Sequence, residues 1–299
     1  MGLRVTFNGQ FRDATTNIER ASERLLEFQR QVSSGRRLDR VSDDPSSASS
    51  ALGERTKIAQ VDQFTRSTES AYSRLSVVDT VLSDIVSKLT AAQVAATSAL
   101  GTTPTAAQRT AAAQQLDGLK AALLDDFNTS LQGNYLFAGT KSTTKPYVVG
   151  GGGTVAAYAG SSTEVQVDVD QDRIVTVAFD GSAITQGTDA TDVFATIDAL
   201  ITAVNAGDSD AINTGIATLG NVFGRVTAAQ SRVGSAMQTL DAEKLRLSAT
   251  KLASSERLSK LEDANMAEAI TGMQQADTAY KAALGAAATA SKVSLMDYL

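Results

Sequence analysis

The chain has 299 residues, a formal net charge of −6, and no His, Cys or Trp. Its length admits one large domain or two to three small ones. The missing residue types exclude thiol nucleophiles, disulfides, Cys/His zinc sites and Ser-His-Asp triads, and the acidic balance argues against nucleic acid as a partner. Aromatics are 5% of the residues, so Leu, Val, Ile and Ala must build the interior. That composition suits thin helix-helix seams better than a thick core.

The first residues lack the apolar stretch of a secretory signal, and no run of about 18 apolar residues predicts a membrane span. Helical spacing begins at Ile18. Ile18, Ala21, Leu25, Phe28 and Val32 step by three and four, a heptad seam. The other faces carry Glu19, Arg20, Glu23, Arg24, Glu27 and Arg30. Arg20–Glu23, Arg24–Glu27 and Glu27–Arg30 are spaced for weak i,i+3 pairs; the face is either solvated or a subunit contact.

A firm break follows in "SSGRRLDRVSDDPSSA", Ser33–Ala48. Gly35 suits a left-handed helix cap. Pro45 suits the first position of a new helix and holds Asp44 extended, where its carboxylate can accept backbone N–H groups. Arg36, Arg37 and Arg40 form a small basic cluster suited to helix C-terminal carbonyls and nearby acids.

The next helix is long. Val61, Phe64, Thr68, Ala71, Leu75, Val78, Leu82, Ile85, Leu89, Ala92, Ala96 and Ala99 keep the seam without a slip, a span of about 57 Å at 1.5 Å per residue. "GTTPTAAQ" predicts a turn and a helix start at Pro104. A third helix carries Leu116, Leu119, Leu123, Phe127 and Leu131 on one face, and "QGNYLFAGTK" ends it.

The period then changes. "KPYVV", "GTVAAYAG", "TEVQVDVDQD" and "RIVTVAFDG" read as short strands, which makes 142–188 a β-rich insertion. Asp168, Asp170 and Asp172 lack the Gly and Glu of an EF-hand loop, and strand alternation explains them as a solvated face. Gly150–Gly153 has no following Lys-Ser/Thr and reads as a hairpin loop rather than a phosphate cradle. Helical spacing returns with Val193, Ile197, Leu200 and Val204. It continues through a long segment from Ile212 to Leu240 and beyond, then ends with Met266, Ile270, Met273, Tyr280, Leu284 and Ala287. The terminal seams have no large local core, so they pair with each other or wait for neighbouring subunits.

These motifs carry a resemblance. "QVSSGRRLDRVSDDPSSAS", "GNYLFAGTK" and the ending "SLMDYL", in that order over residues 1–141 and 192–299, resemble the bacterial flagellin superfamily. Within it they resemble the hook-associated junction proteins more than the filament flagellins. The resemblance implies a mainly α fold with a small β-rich insertion. Long antiparallel helices would form a rod, with the N- and C-terminal helices paired as a coiled coil. It implies an inner domain of 1–40 plus 256–299, a helical domain of 41–141 plus 189–255, and an outer β-rich domain of 142–188. It further implies a structural, non-enzymatic subunit of the flagellum with no cofactor and no metal. That subunit would be exported without a cleaved signal peptide and would join hook to filament by self-assembly. Expected partners are further copies of itself, a neighbouring hook-associated protein, flagellin and a cytoplasmic export chaperone, with no nucleic acid and no membrane insertion. Residues expected at the self-assembly surface are Ile18, Leu25, Phe28, Val32, Ile270, Met273, Tyr280, Leu284, Tyr298 and Leu299. Gly35, Arg36, Arg37, Asp43, Asp44 and Pro45 are expected to form a turn between layers. The alternatives are a filament flagellin and a secreted coiled-coil adhesin.

Overall fold

The computed structural model describes residues 7–38, 40–42, 44–102 and 104–296. Its helices are α1 (Phe7–Ser34), α2 (Pro45–Ser98), α3 (Ala106–Phe127), α4 (Gly181–Thr185), α5 (Val193–Ala206), α6 (Ser209–Glu262) and α7 (Met266–Met296). Strands β1 (Ser130–Leu131), β2 (Asn134–Tyr135), β3 (Val165–Asp170) and β4 (Arg173–Ala178) form two antiparallel pairs, β1 with β2 and β3 with β4. The fold is mainly helical with a small β insertion. The chain divides into two compact units, residues 1–61 with 249–299 and residues 62–248.

The unit of residues 62–248 holds a continuous apolar core. The α2 seam delivers Leu75, Val78, Leu82, Ile85 and Leu89 to it, each with no exposed surface. Leu116, Leu123 and Phe127 of α3 join them, with Phe194, Ile197 and Val204 of α5 and Ile212, Leu219, Val226, Val233 and Leu240 of α6. Each Leu, Ile or Val fully buried stabilises by about 1.5–3 kcal/mol. Toward its C-terminal end the α2 seam narrows to Ala92, Ala95 and Ala96, all buried. The helix starts are capped as their sequences require. Thr105 and Gln108 form a reciprocal capping box on α3, and the Asp192 carboxylate accepts from the Ala195 N–H at 2.8 Å.

Aromatic residues close the end of this core. Phe127 meets Phe137, Tyr147 and Phe194 edge-on at 5.5, 6.0 and 6.1 Å between ring centres. The backbone of Tyr147 is held at both groups by one side chain. Its N–H donates to Asn128 Oδ1 at 3.0 Å, and its carbonyl accepts from Asn128 Nδ2 at 2.9 Å. The Tyr147 hydroxyl is 2.7 Å from Thr185 Oγ1. Burial pushes that phenol above its ordinary range.

The end of α3 and the insertion each depart from expectation. The α3 helix stops at Phe127, and Leu131 stands in β1 instead of on the helix face. Residues 145–149 and 153–160 contain no strand, only an isolated bridge between Val149 and Val155 across the glycine turn. Their large side chains act as single anchors rather than as an alternating face: Tyr147 is buried while Val148 and Val149 are exposed. The β3–β4 hairpin matches expectation, with Val167 opposite Val175 and Asp170 opposite Arg173. Its turn is fixed to α6 by charge. Glu243, whose carboxylate has no exposed surface, faces Arg173 at 3.5 Å and Arg246 at 2.6 Å, and Arg246 also pairs with Asp170. Asp168 and Asp172 remain exposed.

Leu82→Asp places a charge in this seam without a partner, which costs several kcal/mol. Thermal unfolding followed by circular dichroism is expected to lose its cooperative helical transition in that variant. Wild-type melting would show that the seam is not the core.

Candidate assembly surface

The unit of residues 1–61 and 249–299 is built differently. Among the described residues its buried side chains are Leu38, Ala51, Val61, Ser254, Glu262, Ala269 and Ala276. Among the described residues its buried apolar set is therefore one leucine, one valine and three alanines.

Helices α1 and α7 pack against each other in antiparallel fashion. On α1, Ile18, Ala21, Leu25, Phe28 and Val32 are half-buried, as the heptad spacing predicts. On α7 the buried row is Ala269 and Ala276, continued by half-buried Gly272, Ala283 and Ala287. A β-carbon at Gly272 would lie 2.6 Å from the Phe28 ring, so the absent side chain is what seats that ring. Ala269, Ala276 and Ala283 each precede by one residue Ile270, Asp277 and Leu284. The larger apolar groups thus fall on an adjacent face. Ile270 and Leu284 are 41% and 42% exposed, and Leu26 of α1 is 55% exposed. Met273 and Tyr280, on the border of the two faces, are half-buried. Tyr298 and Leu299 lie outside the described residues.

The expected i,i+3 ion pairs on α1 do not form. Among the described residues the side chains of Glu19, Arg20, Glu23, Arg24 and Glu27 are exposed and make no ion pair within the chain. Exposed pairs of this spacing gain too little to hold two long side chains in one geometry.

Two chain reversals are tied together at the end of this helix pair. Gly35, at φ 69°, ends α1 in the left-handed conformation, and its N–H donates to the Gln31 carbonyl at 2.9 Å. The Arg37 N–H then donates to the Glu262 carbonyl at 2.7 Å, the Ala264 N–H to the Gly35 carbonyl at 2.9 Å, and the Arg37 guanidinium to the Leu261 carbonyl at 2.9 Å. Arg36 bridges Asp263 through the backbone. Arg37 thus satisfies C-terminal carbonyls of α6 that no intrahelical partner reaches. Asp44 starts α2. Its carboxylate accepts from the N–H groups of Ser46 and Ser47, both at 3.1 Å, and stands 4.0 Å from Arg37. Pro45 occupies the first helical position. Asp43 lies outside the described residues. Hydrogen bonds from Ser47, side chain and backbone, and then from Ser46 hold the Asp44 carboxyl well below the usual carboxylate range.

Sequence spacing missed two supports of this turn. Arg55 pairs with the buried Glu262 at 2.7 Å, and Asn265 caps α7 by accepting from the Ala267 N–H at 3.2 Å. A cleft of about 380 Å³ opens beside the pair, lined also by Leu38, Val41, Pro45 and Leu52. Gly272 was missed as well. An isolated glycine within helical spacing is its one sequence signal.

The described helices include none long and apolar enough to cross a membrane, and the described residues include no group of three metal-ligating side chains. What they define is a helical protein whose first and last helices pack together. Residues 5–142 match the family described as the bacterial flagellin N-terminal helical region, and residues 216–299 match the bacterial flagellin C-terminal helical region. The chain belongs to the bacterial flagellin family and is similar to flagellar hook-associated protein 3. It is 27% identical over 183 residues to the proteins of that name from Escherichia coli (strain K12) and Salmonella typhimurium. That match takes in 61% of this chain and 56% of each relative, so it spans little more than half their length. The crystal structure of flagellar hook-associated protein 3 from Legionella pneumophila shares the fold. Its TM-score is 0.64 at 16% identity, over 70% of this chain and 98% of that one.

Asp44→Ala is expected to lower the unfolding temperature of the turn-bearing unit at neutral pH. A depressed carboxyl stabilises the folded state fully above its ordinary value of 3.8, and that contribution is lost as pH falls through the folded-state value. The difference in unfolding temperature between wild type and variant should therefore shrink on acidification. A difference that stays constant from neutral pH down to strong acid would refute the cap.

Proposed function

We propose that this chain is a structural subunit of the bacterial flagellum that joins the hook to the flagellin filament. It does so by self-assembly of α1 and α7. The observation that carries this reading is the poverty of the terminal unit's own core. Helix α7 turns alanine and glycine toward the half-buried seam of α1, and Leu26, Ile270 and Leu284 are left exposed. A face of that kind becomes stable when neighbouring copies cover it. The superfamily relationship supplies the setting, an appendage built from such copies.

The self-assembly surface comprises Ile18, Leu25, Phe28, Val32, Ile270, Met273, Tyr280 and Leu284, extended by Tyr298 and Leu299. Gly35, Arg36, Arg37, Asp43, Asp44 and Pro45 redirect the chain between an inner layer, 1–40 plus 256–299, and a helical layer, 41–141 plus 189–255. Residues 142–188 form an outer layer that assembly does not need. A neighbouring hook-associated protein contacts the junction on one side and flagellin on the other. Before export, without a cleaved signal, a cytoplasmic chaperone holds the C-terminal helix. The role is structural and involves no turnover.

Removing Gly285–Leu299 is expected to abolish incorporation into the appendage and to leave the core of residues 62–248 folded. Fluorescent labelling on cells reads the first, and circular dichroism the second. Label confined to a short zone between hook and filament supports the junction. Label along the whole filament would make the chain a filament flagellin instead. Normal incorporation of the truncated chain would refute assembly through α7.

A further inference from the structure

We infer that neighbouring copies lock together through charge on α1, the acidic face of one copy entering a basic groove on the next. This inference rests on self-assembly through α1 and α7 and specifies its contact. The groove runs between those helices and has a volume of about 460 Å³. Phe28 and Gly272 line one end, Gln275 and Ala279 line the α7 side, and Arg20 and Arg24 stand on the α1 side. Both guanidinium groups are exposed, and neither has an ion-pair partner among the described residues. The α7 residues lining the groove bring no carboxylate to it.

The complement is on the same helix. Glu19, Glu23 and Glu27 are exposed, equally free of ion pairs among the described residues, and spaced four apart. Residues four apart on a helix share a face and are separated by about 6 Å along the axis. Arg20 and Arg24 have the same spacing, so two successive glutamates of one helix match two arginines of another in register. The acidic face points away from the α7 contact, whereas the arginines flank it. Among the described residues these glutamates do not pair with the groove arginines of their own copy, and the next copy can present its acidic face to them. Such a contact joins two different patches, and repeated it generates a ring or a helical array. Opposed charge also fixes the register of helices whose apolar contacts alone would slide, and it rejects wrong neighbours.

The occupant is a second copy of this chain, and charge reversal tests it. One variant carries Arg20→Glu and Arg24→Glu, and another carries Glu19→Arg, Glu23→Arg and Glu27→Arg. Sedimentation of the full-length chain over a concentration series reads the threshold for assembly. Each variant alone is expected to raise that threshold by about tenfold or more through like-charge contact. An equal mixture of the two variants, and a single chain carrying all five substitutions, are both expected to restore it. Circular dichroism must show unchanged helix content. Should either reversal lose helix, Arg20→Gln with Arg24→Gln replaces it, and a threshold equal to wild type in that variant overturns the inference. Wild-type thresholds for both reversals, or failure of the mixture and of the five-fold variant to recover, also overturn it while leaving assembly through the terminal helices standing. Absence of any wild-type assembly removes both readings together.

Discussion

A helix that turns alanine and glycine to its partner lets the two backbones come close but buries little of its own. That constraint governs the terminal unit and, through it, the reading of the whole chain. The Phe28 ring sits where Gly272 has no side chain, and Ala269 and Ala276 are the buried residues around it. Such a seam fixes the approach of two backbones and gains dispersion contacts. It adds few large apolar groups, and the entropy of ordering two long helices must be met by burial. The larger groups that would meet it, Ile270 and Leu284, face outward.

The contrast with residues 62–248 sharpens the point. There one core gathers residues of five helices and an aromatic cluster, and the buried charge of Glu243 has two arginine partners. Hydrogen bonds at Gly35 and Arg37 hold the terminal helices in a defined arrangement. Arg37 reaches the last carbonyls of α6, and Ala264 returns a hydrogen bond to Gly35. Polar links between two reversals thus set the geometry that the thin apolar seam alone would leave loose.

How much of this could be read from sequence depended on contrast between residues. The α2 seam was legible because Leu, Val and Ile alternate with polar neighbours at strict spacing, and those residues are buried as expected. The Gly35 cap and the Asp44–Pro45 start were legible because few residues have those backbone properties. The contact face of α7 was not. Hydrophobic spacing points to Ile270 and Leu284, while the helix turns its alanines inward, and alanine offers no contrast to mark a face. The partners of Arg37 lie more than two hundred residues away, where no local pattern reaches. In the insertion, Tyr147 and Tyr158 read as strand residues. They serve instead as loop anchors: Asn128 holds the backbone of Tyr147, and the Tyr158 hydroxyl donates to the Phe137 carbonyl.

The central claim is that the terminal helices are completed by other copies. Amide hydrogen exchange compared between dilute monomer and assembled protein tests it most directly. The account predicts fast exchange across Ile18–Val32 and Ile270–Leu284 in the monomer, slow exchange across the α2 seam in both states, and strong protection of the terminal helices on assembly. Protection of Ile18–Val32 and Ile270–Leu284 already present in the dilute monomer, and unchanged on assembly, would contradict it.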